Sequence, residues 1–234
     1  MKRKPFNISF GKTTLVGDSI HTKARPQWLF LHGAGLSDRK RFEQFRMLLA
    51  QRGIASSSFD FIGHGETGGD LAGSSLESRV AQAAAVIDSW GIPQPLSIVA
   101  SSMGGYIGIK LTKLYDIQNL VLLAPAAYAM NAYSSPFGPV FTEAIRSPFS
   151  WRETDAWEVL KNFKGNLLIY AAEKDRVIPH EIIERMYDSA RNARFREMNI
   201  VKDATHSLAK WLDEQPDSLH EIVEKVLKLS KIDS

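Results

Sequence analysis

The chain contains no cysteine. This excludes disulfides and thiolate metal ligands, and it is compatible with a reducing cytoplasm. No uninterrupted apolar run reaches the ~18 residues that a membrane span requires. Positive charge is in slight excess, a net +3, and no long Lys/Arg run or interleaving of basic with aromatic residues accompanies it. The footprint of a nucleic-acid binder is therefore missing. Missing too are phosphate-type glycine loops and His/Glu clusters at metal-ligand spacing, so neither a cofactor nor a metal is expected. The basic opening MKRKPFNISFGKTT lacks the apolar segment of a secretory signal, and a soluble, cytoplasmic protein is the expectation.

What remains is ordinary globular composition, 44% apolar and 24% charged over 234 residues, enough for one sizeable core. No repeat, linker or low-complexity stretch divides the chain, so residues 1–234 are expected to form a single domain. Short apolar runs alternate with helical patterns. NISF and TTLVGDSI suggest an opening antiparallel pair. WLFLHG, IASSSFD, LSIVA, NLVLLAP and NLLIYAAEKD follow as strands, several apolar on both faces as parallel sheets require. Helical spacing appears after Asp38, a candidate N-cap, over Leu76 to Trp90, Met103 to Tyr115 and Pro179 to Ala190. Phe195 to Val201 is a further strand, and a last helix carries Leu219, Ile222, Val223, Val226 and Leu227, with Ser218 and Glu221 as its capping box. This pattern implies an α/β fold: a mostly parallel central sheet of about eight strands with helices on both faces.

One segment interrupts the rhythm. Residues 126–164 are irregular and rich in aromatics and proline, and a connection this long suggests a cap or lid-like insertion. Its Tyr128, Tyr133, Phe137, Phe141 and Trp151 are candidates for a substrate pocket, or for aromatics that pack on one another.

The chemistry concentrates at IVASSMGGY, where an apolar strand ends in two serines and glycines open a helix. In open parallel sheets, ligands sit beyond the carboxyl ends of the strands. With Ser102 at the centre, the residues two positions away are Ala100 and Gly104, both small; with Ser101, one would be the bulky Met103. Ser102 therefore fits a nucleophile elbow, a strained strand-to-helix turn that exposes a hydroxyl at a helix N-terminus.

On these residues the chain resembles the α/β-hydrolase superfamily, in its serine esterase/lipase-like branch. HGAG at 32–35, DFIGHGET at 60–67, ASSMGG at 100–105, EKDRVIP at 173–179 and DATHSL at 203–208 match in order, across nearly all of the chain outside the insertion. Ala100 departs from the glycine usual at the first elbow position. The resemblance implies Ser102 as nucleophile, His206 as the base and Asp175 as the acid that orients it, with Glu173 and Asp203 as rival acids. It also implies an oxyanion hole made by the backbone N–H groups of Ala34 and Met103, a term worth about 3 kcal/mol per donor. His32 and His64 are expected to shape glycine-flanked turns, Asp60 to hold its loop, and His180 and His220 to lie on the surface.

The expected activity is cofactor-independent hydrolysis of a small-molecule carboxylic ester or thioester through an acyl-enzyme on Ser102. A carbon–carbon bond hydrolase of the same fold, and a non-catalytic binding protein on the same scaffold, remain open. The run Asp38-Arg39-Lys40-Arg41 either steers an anionic substrate or forms a solvated helix face.

Overall fold

The computed structural model describes residues 1–229; the last five residues of the expected 1–234 domain lie outside the described residues. Eight strands form one sheet: β1 (Lys2–Phe10), β2 (Thr13–His21), β3 (Trp28–Leu31), β4 (Ser56–Phe59), β5 (Leu96–Ser101), β6 (Ile117–Leu123), β7 (Asn166–Ala172) and β8 (Phe195–Val201). Their order is β1-β2-β4-β3-β5-β6-β7-β8. β2 pairs antiparallel with both β1 and β4, and the remaining neighbours pair in parallel. The expected α/β fold is the one observed.

The strands β3, β5, β6 and β7 are largely apolar because both faces are covered, but their side chains still alternate. Leu29 and Leu31 of β3, Ile98 and Ala100 of β5, and Leu120 and Leu122 of β6 enter one core. Phe30, Val99, Val121 and Leu123, one residue out of step, enter the other. The first core is closed by α2 (Leu76–Trp90), α3 (Met103–Leu111), α5 (Ala156–Asn162) and α6 (His180–Ser189). The second is closed by α1 (Glu43–Gln51), α7 (Leu208–Asp213) and α8 (Pro216–Leu229). The parallel pairing of β3, β5, β6 and β7 brings their carboxyl ends to one edge of the sheet, where the loops carrying Ala34, Ser102 and Asp175 begin.

Local signals explain most boundaries. Asp38 accepts the Lys40 N–H at 2.9 Å and caps a 3-10 turn over Arg39–Phe42 that leads into α1. Ser75 caps α2 by accepting the Ser78 N–H at 3.0 Å. Two expectations need correction, and one element went unread. The last helix begins at Pro216, so Ser218 lies inside it and is not its cap; proline, lacking an N–H, is suited to that opening turn. The helix from Met103 stops at Leu111, where Thr112 turns back on Ile109 through both its N–H and its hydroxyl. The helix α7 directly after His206 had no clear sequence signal.

Residues 126–164 join β6 to β7 through two 3-10 turns, Met130–Ala132 and Ser150–Glu153, together with α4 (Pro139–Arg146) and α5. Phe141 of α4, and Val159 and Leu160 of α5, reach the same core as α2 and α3.

Candidate active site

Ser102 occupies the single-residue corner between β5 and α3 with φ 52° and ψ −118°, a conformation that costs a non-glycine residue about 1–3 kcal/mol. Three backbone bonds hold it there. Its N–H donates to Leu123 O at 3.0 Å, and its carbonyl accepts from Gly105 at 2.9 Å and Ala126 at 3.0 Å. The corner is tight: a Cβ on Gly104 would stand 2.5 Å from the carbonyl oxygen of Leu31. Ala100, by contrast, is accommodated in the core, so its departure from glycine is sterically harmless.

Loops from three strand ends meet at this corner. Ser102 Oγ lies 3.0 Å from His206 Nε2, and His206 Nδ1 lies 2.9 Å from Asp175 Oδ2. Asp175 is positioned in turn by its other oxygen, Oδ1, which accepts the N–H groups of Val177 at 2.8 Å and Ile178 at 2.9 Å. Its side chain is only 3% exposed. Burial alone would raise this carboxyl, but the His206 bond and the two backbone donors outweigh it and hold the group below the ordinary aspartate value. An ionised Asp175 fixes the proton of His206 on Nδ1 and leaves Nε2 to accept from the serine hydroxyl. The rival acids are engaged elsewhere: Glu173 accepts the Asp203 N–H at 2.8 Å, and Asp203 pairs with Lys174 at 2.5 Å.

Opposite the serine, HGAG turns back after β3, with Gly35 at φ +69°, a conformation that suits glycine. Among the described residues, the N–H groups of Ala34 and Met103 have no acceptor within the chain. Two cavities adjoin them. One, of about 500 Å³, is lined by Ser102, His206, Arg41 and Lys210 among others. The second, of about 480 Å³, is bounded by Ala34, Met103, Leu71, Phe137, Phe141 and Arg79. A cavity of about 550 Å³ at the opposite end of the sheet, between Pro95, Asp116 and Lys164, contains none of these groups.

The pocket candidates separate. Phe137 and Phe141 line the second cavity, and Tyr128 packs behind Phe141 with ring centroids 5.9 Å apart. Tyr133 and Trp151 do not line it. Tyr133 is taken up by Tyr106 at 6.4 Å and by Lys110, whose Nζ stands 4.3 Å over its ring; Trp151 packs on Trp157 and beneath Arg185.

The supporting histidines hold turns. His32 donates from Nδ1 to Gly33 O at 2.7 Å and accepts the Phe61 N–H on Nε2 at 3.1 Å. Burial, and then the charges of its neighbours, pull it well below the ordinary histidine value, so it is neutral. His64 donates from Nδ1 to Ser37 O at 2.9 Å and accepts from Arg79 on Nε2 at 2.6 Å. Asp60 accepts the Arg39 and Glu66 backbone N–H groups and pairs with the Arg39 guanidinium, which keeps it in its own loop. His220 is exposed, whereas His180 is half-buried against Ala172 O.

Steering by the 38–41 run fails for Arg39. It is buried and bound to Asp18, Asp60 and Glu66, carboxylates that the sequence places far from it. Arg41 alone of the run lines the serine cavity. Sequence reasoning missed Arg79. It lies on the stripe Leu76, Arg79, Val80, Ala83 of α2, and a charge at a core position of a helix is the signal that marks it.

A sequence model of the family described as "Serine aminopeptidase, S33" matches residues 22–154, more than half of the chain. The chain belongs to the S33 α/β-hydrolase family. No curated protein matches by sequence. Among solved structures, an esterase of Pyrococcus furiosus is similar at 19% identity and TM-score 0.73, over 98% of this chain and 92% of that one. A monoacylglycerol lipase of Paleococcus ferrophilus is similar at 19% identity and TM-score 0.71, over 92% and 99%. The thioesterase domain from the curacin biosynthetic pathway is similar at 18% identity and TM-score 0.72, over 97% and 100%. At these identities the likeness to the solved structures is one of fold. No helix among the described residues of this hydrolase-family chain is long and apolar enough to cross a membrane.

Proposed function

We propose that this chain is a cofactor-independent serine hydrolase of carboxylic esters or thioesters. The observation that carries this reading is the continuous chain from Ser102 Oγ through His206, at 3.0 and 2.9 Å, to the buried Asp175 carboxylate. A serine hydroxyl needs such a base to attack at neutral pH. In the proposed reaction, Ser102 Oγ forms a bond to the substrate carbonyl carbon while its proton passes to His206 Nε2. The oxyanion is received by the free N–H groups of Ala34 and Met103, at the positive end of α3. His206 then protonates the departing oxygen or sulfur as the acyl–leaving-group bond breaks. Water repeats the sequence on the acyl-enzyme, releasing the acid and restoring the serine.

The esterase, lipase and thioesterase among the structural neighbours accord with this choice of bond. Residues 1–234 act as one hydrolase domain, and the 126–164 insertion supplies the Phe137–Phe141 wall of the acyl cavity. Hydrolysis of short-chain aryl esters by the wild type and by Ser102→Ala tests the assignment. A loss on the order of 10⁴-fold or more in kcat is expected. Equal rates would remove Ser102 from the reaction, and no turnover of any ester or thioester by the wild type would favour a binding role.

A further inference from the structure

The chain buries three arginines among its described residues: Arg39, Arg46 and Arg79. Arg39 is bound to Asp18, Asp60 and Glu66, and Arg46 to Asp18 at 2.7 Å. Arg79, 1% exposed, has no carboxylate partner among the described residues. One of its nitrogens donates to His64 Nε2 at 2.6 Å, while Nε and Nη1 have no acceptor. Phe61 and Phe137 each hold the guanidinium 4.9 Å from the ring centroid, which positions the cation without neutralising it. Burial pulls it down to about 10, still protonated at neutral pH, and the group opposing that fall is the Tyr128 hydroxyl, not a carboxylate. Buried charges are ordinarily paired. This one is not.

Its location supplies the partner. Arg79 is part of the wall of the cavity that also contains Ala34 and Met103, the residues whose N–H groups face the reacting carbonyl in the reading above. Asp70, the only carboxylate on that wall, is exposed, and its Oδ1 accepts the Ala72 N–H at 2.9 Å. The neighbouring cavity carries Arg41 and Lys210 and no acidic residue on its lining, which favours an anion near the serine. A largely apolar cavity with a single buried cation suits an apolar chain that ends in one negative charge. A phosphate dianion would leave a charge uncompensated there.

We infer that Arg79 binds a carboxylate at the far end of the acyl chain, so that the preferred substrates are monoesters or monothioesters of dicarboxylic acids. The inference rests on the serine-hydrolase reading and assigns its substrate class. With that carboxylate beside the guanidinium, the buried charge gains its counter-ion.

The test compares aryl monoesters of four- to eight-carbon dicarboxylic acids with the same esters in which the terminal carboxylate is replaced by a primary amide. The expected wild-type kcat/KM ratio, carboxylate over amide, is at least about 10 at the best chain length. In Arg79→Met the ratio should fall by at least about 10-fold, with Arg79→Lys in between. A wild-type ratio at or below 1 throughout the series, or the same ratio in Arg79→Met, would overturn the inference. Should Arg79→Met fail to fold, competition on the wild type decides. Aliphatic monocarboxylates should inhibit hydrolysis of a neutral ester at least about 10-fold more tightly than primary amides of equal length. Equal inhibition, or tighter inhibition by inorganic phosphate, would contradict it. Ser102→Ala in the same assay separates the two claims, since it abolishes turnover of both ester types if the serine reading holds, whereas only the ratio reports on Arg79.

Discussion

Two buried polar assemblies in this chain differ in a single respect. Beneath the antiparallel margin of the sheet, Asp18 and Asp60 are bound by Arg39 and Arg46, with Glu66 closing one side. Every carboxylate there meets a cation, and the assembly ties β2 to the loops after β3 and β4. At the carboxyl ends of β5, β7 and β8, Asp175, His206 and Ser102 form an equally ordered line, but its last member is a hydroxyl facing a cavity. A closed network holds chain segments together; an open one has a group left to react. Under the proposed function, the same kinds of residue thus serve architecture in one place and chemistry in the other, according to whether the line ends at a cavity.

The contrast can be broken from either side. The largest effect is expected at the open line. Asp175→Asn should lower kcat by about 10³–10⁴-fold, because the amide no longer fixes the proton on His206 Nδ1. Its effect on stability carries a sign that can be checked. Because the native carboxyl of Asp175 lies below the ordinary value, its contribution is fully present above the unfolded-state pKa near ~3.9 and is lost as pH falls through the lower native value. Denaturant unfolding of wild type and variant should therefore differ at neutral pH and converge in strong acid. A smaller effect, in unfolding alone, is expected at the closed network. Asp18→Asn leaves Arg46 buried without an acid and should cost about 3–5 kcal/mol in the same unfolding measurement, with kcat per folded molecule unchanged. A large loss of kcat in Asp18→Asn would mean that the two assemblies are not separate.

Much of this was legible in the sequence because it depends on local spacing. The Ser102 corner was marked by small residues on both sides, and parallel strands by apolar runs of sheet-like length. The elements of the 126–164 segment were not legible, since its 3-10 turns and short helices obey no single periodicity. Arg39 was misjudged because its partners Asp18, in β2, and Asp60, just after β4, lie far from it along the chain, and pairings of that kind leave no mark on neighbouring residues. Arg79 interrupts the apolar stripe of α2 and was readable in principle. The stripe shows that it is buried; only the fold shows that it borders the cavity beside Met103.

The central claim is most directly tested by trapping the serine. A fluorophosphonate that mimics the acyl transition state should add one equivalent to the intact protein, with peptide mapping placing the adduct on Ser102 and with labelling slowed in Asp175→Asn. Ester hydrolysis that continues while the adduct forms on another residue, or at full labelling of Ser102, would contradict the account.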